Sequence, residues 1–203
     1  MGPAAAWVAA LALALAAGCS DATPHTEPQR DGVTIDAAQA VAGLLRDVRT
    51  GNCPAQPPQL PASDAGGLLE RTEPLVADRL LLCGYPPLQD VERTPGVHSP
   101  DVAVVAGPAN VEGMRNALNR LPGPQGAGGP SGCPADDGSA VLAVFSDGRQ
   151  VVPVLIGLTG CRTVTNGIRD AGATQELITR TLLLMPRAFC SSLSPADGCP
   201  ARS

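Results

Sequence analysis

The chain has to build its hydrophobic core almost without aromatic side chains. Its 203 residues include one Trp, one Tyr and two Phe, and the single Trp lies close to the start, at Trp7. The core must therefore be aliphatic, built from Leu, Val, Ile and Ala. The chain also contains seven cysteines. Disulfides would help a core of this kind, because they constrain the unfolded chain.

The first cysteine follows an apolar segment. The run from Ala4 to Ala17 has the length of a signal-peptide core and is shorter than the ~20 residues of a spanning helix. The residues Leu15-Ala16-Ala17-Gly18-Cys19 resemble the lipobox of bacterial lipoproteins, in which the cysteine carries acyl chains such as palmitate and becomes the mature N-terminus. The resemblance implies that residues 1–18 are a signal peptide. It also implies a location on the extracytoplasmic face of the cell membrane. An ordinary secretory signal, cleaved at the same place, is the alternative.

The residues after Cys19 are polar and contain Pro24 and Pro28. Such a segment cannot bury enough apolar surface to offset the entropy of ordering. Residues 19–33 are therefore expected to be a flexible, lipid-anchored tether. Residues 34–203 have the length of one domain, and we expect them to form a single extracytoplasmic domain.

Six cysteines remain in that domain and would face an oxidising compartment. Six cysteines allow 15 pairings. We predict that neighbours in sequence pair. A zinc site is the competing interpretation, but the sequence has no Cys-x-x-Cys motif and no His-x-x-x-His motif. The predicted disulfides are Cys53–Cys83, Cys133–Cys161 and Cys190–Cys199.

The spacing of apolar residues predicts about three helices and five strands. Asp147-Gly148 predicts a hairpin turn between two of the strands. Pro153 requires an edge or a bulge in the second strand of that hairpin. The sequence thus predicts an α+β fold with a largely antiparallel sheet and a central hairpin. The predicted helices are 36–51, 110–121 and 174–185, and Asn110 is expected to cap the second of them. The predicted strands are 79–85, 101–107, 140–145, 150–158 and 161–165.

The charge and the histidines restrict the possible functions. The net charge is −5, which argues against nucleic acid as a partner. His25 lies in the tether, so His98 is the one base that a catalytic triad in the domain could use. With Asp101 and Asp136, His98 would form the cleft of a small hydrolase or ligand-binding receptor. This is an alternative function, and a redox or metal protein is another if the thiols are free.

Asp136 and Asp137 allow two interpretations. Adjacent carboxylates in a Gly-rich loop could bind a hard cation, but they lack the spacing of a calcium loop. The favoured interpretation is turn chemistry, in which each carboxylate accepts hydrogen bonds from nearby backbone amides. No metal site and no cofactor are predicted.

Three stretches are similar to secreted or lipid-anchored proteins of high-GC Gram-positive bacteria. They are Cys133-Pro134-Ala135-Asp136-Asp137-Gly138, the stretch from Gly160 to Gly167, and Leu81-Leu82-Cys83-Gly84-Tyr85-Pro86. The resemblance implies that Cys83, Cys133 and Cys161 belong to the structural framework, and it implies no activity.

The leading hypothesis is a non-enzymatic binding module of the cell envelope. The membrane is its partner through the lipid on Cys19, and an envelope protein or a cell-wall component is its second partner. Loops on a rigid scaffold commonly carry recognition. The loops 84–100 and 122–137 are therefore the predicted contact regions.

Overall fold

The computed structural model describes residues 37–87, 99–122 and 133–193. They form a six-stranded antiparallel sheet with helices, in one compact unit. This confirms the predicted α+β class and its antiparallel sheet. Four helices are described, one of them only six residues long. The elements are α1 (Ala37–Thr50), β1 (Arg79–Tyr85), β2 (Asp101–Val105), α2 (Pro108–Asn119), β3 (Ala140–Ser146), β4 (Val151–Gly157), β5 (Thr163–Thr165), β6 (Asp170–Gly172), α3 (Gln175–Leu184) and α4 (Arg187–Ser192).

The β3–β4 hairpin lies at the centre of the sheet, whose strand order is β2-β1-β3-β4-β5-β6. The two strands pair along their full length, from Ala140 opposite Gly157 to Ser146 opposite Val151. The turn uses the predicted residues: Gly148 has a φ of 85°, a left-handed conformation that glycine adopts at little cost. The Asp147 carboxylate accepts hydrogen bonds from the backbone N–H of Arg149 and of Gln150, both at 2.8 Å.

Alternate side chains of the central strands point to opposite faces of the sheet, and each face has its own apolar cluster. The larger cluster, which we call the broad face, is covered by α2, α3 and α4. It contains the majority of the buried apolar residues, including both phenylalanines. Its members include Leu80, Leu82, Val141, Ala143, Phe145, Val152, Val154 and Ile156 from the sheet, and Val111, Met114, Leu118, Leu177, Ile178, Leu182 and Phe189 from the helices.

Phe189 packs against Gly84, which has no side chain to obstruct the ring. A Cβ atom at Gly84 would lie 2.6 Å from the Phe189 ring and 2.6 Å from the Met185 methyl group. Distances this short are well inside van der Waals contact. Gly84 therefore lets α4 pack directly on β1.

The opposite side of the sheet, which we call the disulfide face, is covered by α1 and by the Pro-rich loop that follows it. Leu44 and Val48 of α1 are buried there. The Cys53–Cys83 disulfide joins the start of the loop to β1, with a Cα–Cα distance of 5.6 Å. The Tyr85 hydroxyl donates a 3.1 Å hydrogen bond to the Pro54 carbonyl oxygen. One helix and a cross-linked loop thus complete this face.

Pro153 confirms the predicted local edge. It lies opposite Val144 of β3, whereas β5 pairs only with Leu155 and Ile156 of β4. Pro153 is thus beyond the end of β5, and its missing N–H leaves no ladder bond broken on that side.

The start of α2 differs from the prediction. Asn110 was expected to cap the helix, but the helix begins at Pro108 with Gly107 as its N-cap residue. The Asn110 side chain instead donates a 3.1 Å hydrogen bond to the Ala106 carbonyl oxygen. Proline is favoured in the first turn because its fixed φ suits a helix and it lacks one of the unpaired N–H groups.

The outer strands of the sheet are short. At one edge β2 has five residues, and Pro100 and Pro108 stand close to its two ends. At the other edge β6 has three residues. The prolines limit the length over which another chain could pair with β2.

Candidate functional site

Two of the three residues predicted to form a cleft, Asp101 and Asp136, lie in the described part of the chain, at separate positions relative to the sheet. Asp101 begins β2, and burial raises the pKa of its carboxyl. Asp136 lies beside Thr159, just after β4. Strands β1 and β3 stand between these two positions. His98 lies outside the described residues.

Asp136 and Asp137 form a compact polar cluster with Thr159. The Thr159 hydroxyl lies 3.0 Å from Asp136 Oδ1 and 2.6 Å from Asp137 Oδ1. The two carboxylates also accept hydrogen bonds from the backbone N–H groups of Gly138 and Ser139, both at 2.9 Å. Burial would raise the pKa of Asp137, but the hydrogen bonds from Thr159 and Ser139 outweigh it, and the pKa is lowered. This is the turn chemistry that the sequence predicts.

The Cys133–Cys161 disulfide stands next to this cluster, with a Cα–Cα distance of 5.0 Å. Together with Cys53–Cys83 it confirms two of the three predicted pairings. The third predicted pairing involves Cys199, which lies outside the described residues, as does Cys19. Within the described residues no group of three or more His, Cys, Asp or Glu is arranged to hold a metal ion. None of the described helices has the length and apolar character needed to cross a membrane.

A buried carboxyl that the sequence did not single out lies under the segment between the Pro-rich loop and β1. Glu73 is fully buried. Its Oε1 accepts a 2.7 Å hydrogen bond from the Leu75 N–H, whereas Oε2 has no partner among the described residues. Burial raises the pKa of Glu73 to about 8, against the opposing effects of the Leu75 bond and of the Arg115 charge. Glu73 is therefore largely protonated at neutral pH.

Two asparagines hold that segment on the protein. Asn119, at the end of α2, accepts from the Glu73 N–H at 2.9 Å and donates to the Glu73 carbonyl oxygen at 2.7 Å. The buried Asn166 side chain donates to the carbonyl oxygens of Leu68 at 3.0 Å, Thr72 at 3.1 Å and Arg71 at 3.3 Å. These contacts join residues that are far apart in the sequence, so no local sequence pattern predicts them.

A groove of about 400 Å³ lies near one edge of the sheet, between the end of α1, the start of β1 and the end of β2. We call it the edge groove. Val104 projects beside it with 64% of its surface exposed, and two arginines and one aspartate supply its charge. Its lining residues are Val48, Arg49, Thr50, Gly51, Asp78, Arg79, Leu80, Val104, Val105, Ala106 and Gly107.

A second groove, of about 450 Å³, lies between α2 and α3. Glu176 stands between two cations there, 3.5 Å from Arg120 and 4.0 Å from Arg180. These pairs are solvent-exposed, and exposed pairs contribute little to stability. The remaining lining residues are Asn110, Gln175, Thr179, Leu183 and Leu184.

No family model matches this chain, and no curated protein and no solved structure is significantly similar to it.

Proposed function

We propose that the protein is a lipid-anchored extracytoplasmic domain that acts by binding a partner in the cell envelope. The observation that carries this proposal is the pair of disulfides, Cys53–Cys83 and Cys133–Cys161. Disulfides persist in oxidising compartments and are rare in the cytosol. The lipobox-like residues that end at Cys19 supply the means of anchoring, since two acyl chains are sufficient for stable membrane attachment.

The edge groove is the proposed binding surface. The predicted contact loop 84–100 precedes β2, and the last two residues of β2 line the groove. An edge strand can accept an extended segment of a partner through its unpaired backbone groups. The exposed Val104 offers an apolar contact, and Arg49 and Arg79 favour a partner that carries a carboxylate. The partner is therefore proposed to be a protein segment in extended conformation.

The anchoring is tested by intact mass spectrometry of protein extracted from the membranes of a Gram-positive host. We expect the loss of residues 1–18, a gain in mass from acyl chains, and no reaction with a thiol alkylating agent under denaturing, non-reducing conditions. Cys19→Ala is the matched variant, and it should carry no lipid and appear in the medium. An unmodified N-terminus, or free thiols in the wild-type protein, would contradict the proposal.

The binding surface is tested by placing a photo-crosslinking amino acid at position 104 in living cells. A discrete crosslinked protein is expected at 104, and it should disappear when Arg49 and Arg79 are both replaced by Ser. Position 170, at the opposite edge of the sheet, is the control. If positions 104 and 170 give the same products, or 104 gives none, the edge groove is not the binding surface.

A further inference from the structure

The segment that precedes β1 is attached to the broad face by both polar and apolar contacts. We call residues 66–77 the strap. Its carbonyl oxygens accept from Asn166, and its Glu73 backbone is bound by Asn119. Three of its side chains are buried, and two of these three, Thr72 and Glu73, are polar. Leu68 belongs to the broad-face cluster and Leu75 and Ala77 pack against it. Leu69 and Val76 are 67% and 76% exposed.

The buried polar atoms of the strap are incompletely satisfied. Neither Thr72 Oγ1 nor Glu73 Oε2 has a hydrogen-bond partner among the described residues. A buried polar atom without a partner costs about 1–3 kcal/mol, and a charged one costs more. The strap can therefore lie closed at a tolerable cost while Glu73 is neutral, but not when Glu73 is ionised.

Among the described residues, the charged group that acts on Glu73 is already engaged in another interaction. Of the elements packed against it, α2 contributes the Arg115 guanidinium, which acts on Glu73 through its charge. That guanidinium is already bound by the Glu112 carboxylate through hydrogen bonds of 2.9 and 2.8 Å. The turn between β5 and β6 contributes Asn166 to the strap, which is uncharged. Desolvation therefore dominates the ionisation of Glu73.

The strap also has the means to move as a unit. At its first end Gly66 and Gly67 are adjacent, and Gly67 has a φ of 84°. At its other end the chain is fixed to the sheet, because the Asp78 N–H donates a 3.1 Å hydrogen bond to the Ser146 carbonyl oxygen. Small residues at the end of an element commonly absorb the backbone rotation of a hinge.

We infer that the strap is a pH-dependent latch, which lies closed on the broad face while the Glu73 carboxyl is protonated and opens when that carboxyl ionises. Opening withdraws Leu68, Leu75 and Ala77 from the apolar cluster of the broad face. It breaks the contacts of Asn119 and Asn166 with the strap and leaves the β1–β3–β4 ladders intact.

Hydrogen exchange of the full chain between pH 5 and pH 8 tests this inference, with rates corrected for the intrinsic pH dependence of exchange. The open strap returns Glu73 to its ordinary pKa of 4.5, and the closed strap holds it at about 8. Each pH unit between these values should therefore increase the population of the open strap by up to about tenfold. The amides of Glu73 and Leu75 should lose protection accordingly, while the amides of β3 remain much more strongly protected.

Two variants make the experiment decisive. Glu73→Gln keeps the shape but cannot ionise, so its strap should show the same protection at pH 5 and pH 8. Glu70→Gln, at an exposed neighbouring carboxylate, should behave like the wild type. The inference is overturned if Glu73→Gln retains the pH dependence, or if strap and β3 amides exchange with the same free energy of opening at every pH.

Discussion

The two faces of the sheet are closed by different means. The broad face has three helices and the larger apolar cluster, whereas the disulfide face has one helix and a Pro-rich loop held by Cys53–Cys83. A single long helix is too narrow to cover a whole face of the sheet. The loop, held by its disulfide, covers the remaining part. The comparison indicates that side-chain packing is the main source of stability on the broad face. On the disulfide face the main source is the covalent cross-link.

The largest expected effect is on the packing of the broad face. Phe189→Ala should lower the free energy of unfolding by about 3–5 kcal/mol, because it leaves a cavity above Gly84. Chemical denaturation monitored by circular dichroism measures the change. Phe189→Leu keeps most of the apolar volume and should cost clearly less. A loss below about 1 kcal/mol for Phe189→Ala would show that α4 is not needed to close this face.

Removing each disulfide should separate the stability that comes from the cross-link from the stability that comes from buried side chains. The bridges span 30 and 28 residues, so each contributes about 3–4 kcal/mol through the entropy of the unfolded chain. Cys83 is fully buried, whereas Cys133 and Cys161 are exposed.

Cys53→Ala/Cys83→Ala should therefore cost about 1 kcal/mol more than Cys133→Ala/Cys161→Ala, because only the first pair also removes buried sulfur. Guanidinium denaturation of both double variants, compared with the wild type under non-reducing conditions, gives the difference. Equal losses would mean that the buried disulfide acts through connectivity alone.

Glu73, in the strap on the broad face, should make the stability of the protein depend on pH. The folded-state pKa of Glu73, about 8, lies above its ordinary value of 4.5, so the native state retains a proton that the unfolded state loses. The contribution of Glu73 to stability is therefore fully present below about pH 4.5 and falls as the pH rises to about 8, by at most about 1.4 kcal/mol per pH unit. Urea denaturation at pH 5, 6.5 and 8 should show this slope in the wild type and not in Glu73→Gln. A slope that persists in Glu73→Gln would assign the effect to another group.

The smallest effect concerns the end of a helix on the broad face. The Thr174 hydroxyl caps α3 by accepting a 3.2 Å hydrogen bond from the Leu177 N–H. Thr174→Ala should cost about 1 kcal/mol, measured by thermal or chemical unfolding. Thr179→Ala, within the same helix, should be neutral or slightly stabilising because alanine has the higher helix propensity. Equal effects at both positions would exclude a capping role.

The elements that could be predicted from sequence are those whose signals are local. The apolar run of β1, the Asp147-Gly148 turn and the start of the last helix at Thr174 each depend on a few neighbouring residues, and all three are confirmed. Strand β6 and helix α4 were missed, because neither short segment shows a clear apolar period in the sequence. Both elements depend on the surfaces they pack against.

The latch residues could not be predicted for a different reason. Glu73 lies in a polar stretch that is typical of an exposed loop, and its partner Asn119 is 46 residues away. Asn166 reaches Leu68 across 98 residues. Burial of this carboxyl is a property of the assembled fold, and a single sequence carries no pattern for it.

The Cys133–Cys161 disulfide joins the chain that precedes β3 to the chain that follows β4, beyond the open end of the central hairpin. The intervening chain, with both central strands, is thus a covalent ring. A protease that cut the peptide bond after Asp147 would produce two polypeptides that remain one molecule, still paired along β3 and β4. In a compartment exposed to foreign proteases, the middle of the sheet could be cleaved without either half being lost.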